Sequence, residues 1–262
     1  MMEKQSYRRQ FEGLYADHYT HVIPSPDFLY THSHSDYELL YILSGDLTYV
    51  IEDRRYKLKR HDLVVIRPND YHFLQIDSPA DYERHDILFS PEALDIRYTE
   101  LIPSGLDVIN CRHNPVIYDL FKKIDYYNLK LDDEIFKRAV RNMLEELVIN
   151  LTLQAVPEGS ACNPALSRAL SYINNSLFTL GSVAEVAGRL YMTESYLYRL
   201  FRQELHTTPH KYITEKRLVA AGELLRQGKK ATQVCDECGF SDYTVFYRSY
   251  KKFYGHSPSG EK

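Results

Sequence analysis

Residues 239–258 read GFSDYTVFYRSYKKFYGHSP, a turn glycine followed by one helix that closes at Gly255, a left-handed C-terminal cap by its position. At helical spacing Phe246 and Tyr250 face inward, which puts Thr244, Tyr247, Arg248 and Lys251 on the opposite stripe. The same phase recurs upstream. LGSVAEVAGRLYMTESYLYRLFRQ (180–203) can be laid over KKATQVCDECGFSDYTVFYRSYKK (229–252). Val183, Val186, Ala187 and Met192 match Ala231, Val234, Cys235 and Phe240, while Leu197, Arg199, Phe201 and Arg202 match Phe246, Arg248, Tyr250 and Lys251. In the upstream copy Leu197, Leu200 and Phe201 turn inward, leaving Ser195, Tyr198, Arg199 and Arg202 outside. Each copy is a short helix, a turn and a second helix, so an all-α domain with two helix-turn-helix units is predicted.

Both outward stripes mix arginine with hydroxyl and aromatic groups. Arginine can donate two hydrogen bonds to guanine, hydroxyls pair with base or phosphate, and cations neutralise the backbone, which suits a helix laid in a DNA major groove. A solvated helix face would also be charged, but the local charge decides between the two readings. The net charge of −4 over 262 residues hides an asymmetry. From residue 166 onward 14 basic residues stand against 9 acidic ones, a surplus of +5, whereas residues 1–165 carry 18 against 27. Two such stripes in a basic domain favour DNA.

With YMTESYLYRLFRQ in the first unit and PHKYITEKRLVAAGELL (209–225) connecting the two, residues 164–258 resemble the DNA-binding domain of the AraC/XylS family of transcriptional regulators. The resemblance implies two recognition helices in successive major grooves, joined by a long helix over Pro209 to Leu225. It implies base contacts from Ser195, Tyr198 and Arg199 in the first unit and from Tyr243, Thr244, Tyr247 and Arg248 in the second, with Arg202 and Lys251 on phosphates. Three positions depart from the pattern. Tyr191 stands where the second unit has Gly239, and His206 where it has Gly255. The chain also runs out in Ser259-Gly260-Glu261-Lys262, so a short or absent final helix is expected. Cys235 and Cys238 occupy small apolar positions of the first helix of their unit, and one C-x-x-C pair does not supply four zinc ligands.

Residues 28–90 break into short apolar runs, YELLYIL, LTYVI, DLVVI and HDILF, separated by Ser44-Gly45-Asp46 and Pro68-Asn69-Asp70, as in a sandwich or barrel. His32-x-His34, Glu38 and Gly45 reproduce the first cupin motif, and Arg67-Pro68-Asn69-Asp70-Tyr71-His72 resembles the second. In that second segment Arg67 and Asn69 replace its proline and glycine, and His61 replaces the glycine at its start. An all-β cupin (jelly-roll) barrel is therefore expected, matching the effector-binding domain of the same family. Even spacing places His32, His34 and Glu38 on one face of a strand, with His72 brought to the same place. Three readings stand for these four residues: polar contacts to a small organic effector, ligands of a divalent metal (Zn, Fe, Mn or Ni), and a residual structural network. The effector pocket ranks first. Tyr41, Tyr49 and Phe73 can line a sugar-sized cavity or be ordinary core.

From Val116 the period becomes helical: Ile117, Leu120, Phe121 and Ile124 share one face, and Phe136, Ala139, Val140, Met143, Leu144, Leu147, Val148 and Leu151 another. These two helices either roof the barrel or make a dimer. The expected organisation is a cupin sensor over 1–110, helices over 111–154, a linker over 155–163 and the DNA-binding domain over 164–262, with Asn163 and Pro164 starting its first helix. At 44% hydrophobic and 26% charged residues, disordered, collagenous and disulfide-stapled classes are excluded. Isolated Cys111 and Cys162 and the absence of a 20-residue apolar run fit a cytoplasmic protein without a membrane partner. The expected function is a sequence-specific, dimeric transcriptional regulator, not an enzyme, controlled by a small effector. Its partners would be double-stranded DNA and, if it is an activator, RNA polymerase. The alternative is a metal-dependent cupin enzyme carrying a DNA-binding tail.

Overall fold

The structure is a computed structural model that describes residues 7–21, 31–153, 160–161 and 163–260. β-branched and aromatic runs ended by turn formers produce β1 (Tyr7–Phe11), β2 (Leu14–His21), β3 (Tyr37–Ser44), β4 (Leu47–Ile51) and β5 (Arg54–Lys57). They continue as β6 (Asp62–Ile66), β7 (His72–Ile76), β8 (Tyr82–Phe89), β9 (Val108–Asn110) and β10 (Ser160–Ala161). One sheet has the order β1-β2-β8-β3-β6-β9 and the other β10-β5-β4-β7. The expected barrel is thus a pair of facing antiparallel sheets, not a closed cylinder. Most of the expected linker lies outside the described residues, but Ser160–Ala161 adds β10 to the edge of β5.

Strand pleating sorts the apolar residues into separate cores. On β3, Leu40 and Ile42 point between the sheets, where they meet Leu47, Tyr49, Ile51 and Leu74. Leu39 and Tyr41 point the other way, onto α2 (Pro115–Asn128) and α3 (Asp133–Leu151). That is why YELLYIL is apolar throughout: both faces of its strand are covered. A short α1 (Ile96–Thr99) precedes β9. Asn114 and Asp132 cap α2 and α3 by accepting from Ile117 and Ile135 amides. Phe136, Val140, Met143, Leu144, Leu147, Val148 and Leu151 of α3 are buried within this chain, so its apolar stripe roofs the six-stranded sheet.

The back half is helical: α4 (Pro164–Asn175), α5 (Val183–Arg189), α6 (Glu194–Leu205), α7 (Pro209–Arg226), α8 (Ala231–Glu237) and α9 (Tyr243–Tyr254), ending in a 3-10 turn over Pro258–Gly260. Asn163 caps α4 through the Ala165 amide, with Pro164 in the first turn. Thr193 and Asp242 cap α6 and α9 in the same way. In the second unit Val234, Cys235, Cys238, Phe246 and Tyr250 close on Leu218, Ala221 and Leu225 of α7. The C-x-x-C thiols are therefore buried core, and burial raises both above the ordinary cysteine value.

The departures from the expected glycines have a steric reason. Tyr191 and Gly239 both adopt left-handed backbone, at φ 56° and 76°, and their amides bond to equivalent carbonyls of Gly188 and Asp236. A Cβ at Gly239 would lie 2.3 Å from the Phe178 carbonyl oxygen, whereas Tyr191 is 99% exposed. Only one of the two turns is crowded. Tyr191→Gly should therefore remove a left-handed penalty of about 1 kcal/mol without losing packing, raising the thermal midpoint by about 2–4 °C. Gly239→Ala should lower it by at least as much. Calorimetry of the two variants checks both signs.

Candidate DNA-reading faces and effector cavity

The phases of α6 and α9 come out as their capped, amphipathic sequences dictate. Leu197, Leu200 and Phe201 are buried while Ser195, Arg199 and Arg202 are exposed and Tyr198 is half-buried against the first-unit core. Phe246 and Tyr250 are buried while Tyr243, Thr244, Tyr247, Arg248 and Lys251 are exposed. The Arg199 guanidinium rests 5.2 Å from the Tyr196 ring centre, a contact worth about 0.5–1 kcal/mol at an exposed site and weak enough to be exchanged for a base. The two units are tied together by Arg217 on α7. Its guanidinium donates to the Leu177 and Leu180 carbonyls near the first unit, at 2.8 and 2.6 Å, and to Gly239 of the second at 2.8 Å. With the Gly239 turn seated on Phe178, this fixes one recognition helix against the other. Arg217 was not singled out from the sequence, because it looks like any cation on a helix.

The front-half motif residues come together by another route than a single strand. Only Glu38 lies on β3; His32 and His34 precede it, and His32 pairs with His72 in an isolated antiparallel bridge, exchanging backbone bonds of 3.1 and 3.0 Å. The expected placement of His32, His34 and Glu38 on one strand face is corrected accordingly. His61 and Asn69, which replace motif glycines, have φ of 70° and 69°, so the backbone keeps the shape that glycine would serve. The side chains still converge. Glu38 Oε2 lies 3.0 Å from His34 Nε2 and 3.3 Å from His72 Nε2, and the His72 ring stacks on Tyr49 at 6.1 Å.

A cavity of about 620 Å³ opens beside this cluster, lined by His32, Glu38, Tyr49, Tyr82, Arg84 and Asp86 among others. Of the three aromatics considered, Tyr49 lines it. Tyr41 instead stacks on Phe121 of α2 at 4.5 Å, and Phe73 packs against His206 of the DNA-binding half. Arg84 is buried between Asp17 and Asp86, at 2.7 and 3.0 Å. Burial followed by the Glu38 charge drives the Asp86 carboxyl well above its usual range. Burial would raise Glu38 too, but the His34 and His72 imidazoles outweigh it and hold this carboxyl well below its usual range. The wall therefore offers carboxyl groups, a guanidinium and phenol rings. Such a mixture of donors, acceptors and flat apolar faces suits a polyhydroxylated molecule.

The sensor touches the first helix-turn-helix unit directly. Glu52, on the turn after β4, accepts from Tyr212 Oη at 2.6 Å and from Lys216 Nζ, and takes the Tyr71 amide at 2.9 Å. Tyr71 Oη donates to Glu215, and Thr31 Oγ1 to the Leu205 carbonyl at the end of α6. Arg55 meets the Glu204 carboxylate at 3.2 Å. Val50, Tyr71 and Phe73 complete one apolar cluster with α4 to α7. The contacts between the two halves pair residues more than a hundred positions apart, which no local pattern announces.

His34 is the titrating member of the cavity cluster. Burial pulls its imidazole down, but the Glu38 hydrogen bond and charge more than reverse this and raise it above 6.5. Its stabilising contribution is thus fully present below pH 6.5 and lost as pH rises through the raised folded value. In Glu38→Gln only Asp36 is left to oppose burial, so the His34 ring should titrate below its wild-type value. Imidazole NMR titration of both proteins checks this, and an unmoved midpoint would rule out the pair.

Comparison with known proteins agrees with this architecture. A family model described as an AraC-like ligand binding domain matches residues 15–147, and one described as a helix-turn-helix domain matches 186–261. The chain is 31% identical over 129 residues to the probable transcriptional regulator LumQ of Photobacterium leiognathi, covering 49% of this chain and 52% of that protein. It is 24% identical to the raffinose operon transcriptional regulatory protein RafR of Pediococcus pentosaceus, over 85% of this chain and 83% of the other. It is 23% identical to the HTH-type transcriptional activator RhaR of Cronobacter sakazakii, over 87% and 84%. Among solved structures, ToxT from Vibrio cholerae aligns over 95% of this chain and 96% of its own, at 16% identity and a TM-score of 0.37. With a ligand-binding sandwich ahead of two helix-turn-helix units, the chain belongs to the AraC family of DNA-binding transcriptional regulators.

Proposed function

We propose that Ser195, Tyr198 and Arg199 on α6 and Tyr243, Thr244, Tyr247 and Arg248 on α9 read base edges in two successive major grooves, while Arg202 and Lys251 grip phosphates. The observation that carries this is the exposure of both stripes on helices that Arg217 holds in one arrangement. A polyhydroxylated metabolite of sugar size would occupy the cavity at His32, Glu38, Tyr49 and Arg84. The raffinose operon regulator among the relatives supports that class, and the activator RhaR supports activation through RNA polymerase. Homodimerisation would place two such basic halves on paired half-sites. In this reading the chain is a regulator without catalytic work, since the cavity groups are spent on one another as ion pairs and its relatives carry regulator names.

A second reading places a divalent metal at the same cluster. One nitrogen from each of His32, His34 and His72 lies within 4.8 Å of the others, so the imidazoles fit such an ion with Glu38 beside them. Bound there, it would polarise an effector oxygen. Metal analysis of the purified protein separates the two readings.

Effector and DNA would be linked through the docking of the sensor on the first unit. Occupying the cavity shifts His32 and His72, whose neighbours Thr31 and Tyr71 hold Leu205 and Glu215, and so changes the presentation of α6. The second unit, whose core closes on α7, would follow through Arg217.

Arg199→Ala and Arg248→Ala should each cost about 1–3 kcal/mol and relax preference at one base position, measured by binding to a randomised DNA library. Lys251→Ala should weaken all sequences alike and lower the salt slope by about 1. Glu52→Ala leaves Lys216 buried without its partner carboxylate, a loss on the order of 3–5 kcal/mol that should undock the sensor. Faster cleavage after Glu158 by a glutamyl endopeptidase and tighter DNA binding without effector are the expected results. Wild-type behaviour on both counts would remove Glu52 from the coupling.

A further inference from the structure

A second histidine cluster lies on the opposite face of the six-stranded sheet, away from the proposed effector cavity. His18 on β2 and His85 on β8 are directly paired across the sheet, with ring centres 4.1 Å apart. Both point onto α2, where Asp125 closes over them. His18 and His85 are 7% and 3% exposed.

The proton inventory leaves this cluster incomplete. His18 Nε2 stands 3.0 Å from Glu83 Oε1, and a carboxylate only accepts, so Nε2 carries its proton. The other nitrogen, Nδ1, then meets Asp125 Oδ1 at 3.1 Å, lone pair against carboxylate unless a second proton or a cation lies between. His85 is less well served. Its Nε2 is 3.6 Å from Asp125 Oδ2, beyond hydrogen-bond reach, and its buried Nδ1 has no hydrogen-bond partner among the described residues. The nitrogen that faces Asp125 is Nε2, so a cation held there would be shared with that carboxylate and the adjoining His18 ring.

The spacing allows a metal. Donors about 2.0–2.1 Å from a tetrahedral zinc ion lie roughly 3.3 Å from one another, and the two imidazoles approach the two oxygens of Asp125, His18 Nδ1 at 3.1 Å from Oδ1 and His85 Nε2 at 3.6 Å from Oδ2. One donor atom from each of His18, His85 and Asp125 lies within 4.8 Å of the other two. Glu83 on the far nitrogen of His18 supplies the outer carboxylate that orients a ligating histidine. A cavity of about 470 Å³ beside the cluster, lined by Tyr41, Arg60, Tyr118 and Lys122 among others, leaves room for a fourth ligand from solvent. We propose that His18, His85 and Asp125 bind a divalent transition metal of the zinc class, joining α2 to the sheet.

The test uses full-length protein stripped with a chelator and titrated with Zn²⁺ by calorimetry and with Co²⁺ by visible absorption. Wild type should take up metal at this site with a tetrahedral Co²⁺ spectrum, and Zn²⁺ should raise its thermal midpoint. Asp125→Asn and His85→Gln should each remove one equivalent, while His72→Ala, on the other face of the sheet, should leave that equivalent in place. Asp125 is partly exposed on a surface helix, so its variant keeps the question open to measurement if the His85 variant unfolds. Glu83→Gln should weaken the site about 10–100-fold. No stoichiometric uptake, an unchanged stoichiometry in Asp125→Asn, or loss of the only equivalent in His72→Ala would overturn the assignment.

Discussion

The bridge between His32 and His72 is a single pair of backbone hydrogen bonds, yet it stands where the two halves of the molecule meet. Extended chain alternates its side chains, so each partner in the bridge sends one residue inward and its neighbour outward. His32 lines the cavity and His72 reaches Glu38. Thr31 holds the end of α6, and Tyr71 holds Glu215 on α7. In the proposed coupling a displacement on the cavity side would reach the DNA-binding side within one residue, without a long chain of intermediates. Separating the pair would disturb the cavity wall and two contacts with the first unit together.

What the sequence made legible follows from the range over which each signal acts. The stripes of α6 and α9 could be phased because helical periodicity is local and the caps Thr193 and Asp242 are adjacent to the helices they start. The motif His32-x-His34, Glu38 and His72 correctly identified which side chains converge, although not that a bridge, rather than one strand, gathers them. Tyr41 was ambiguous for a definite reason. A strand covered on both faces is apolar at every position, so YELLYIL carries no parity by which to sort the cavity side from the roof side. The pairing of His18 with His85 and the docking of Glu52 on Tyr212 and Lys216 depend on strand register and domain contact, which a single sequence does not encode locally.

The two helix-turn-helix copies have diverged in the way their neighbours require. Gly239 must lack a Cβ because the Phe178 carbonyl occupies that space, and Arg217 crosses at the same point to bond both units. Tyr191 meets no such wall, so the first unit tolerates a side chain in a left-handed turn. The crowded turn belongs to the rigid joint and the open one to solvent.

This asymmetry also explains how one sensor can act on two reading helices. The first unit shares its core with Val50, Tyr71 and Phe73 of the sensor, whereas the core of the second is built from α7, α8, α9 and the turn at Phe240. In the proposed coupling, forces from the cavity would enter at α6 and the first half of α7, where Glu52 holds Tyr212 and Lys216. Arg217 follows Lys216 in the chain and contacts both units, so in the proposed coupling the residue that would receive the signal and the one that would distribute it are consecutive on one helix. A rigid joint between the units is then an advantage, because moving the first recognition helix moves the second by a fixed relation and alters the fit to two grooves at once.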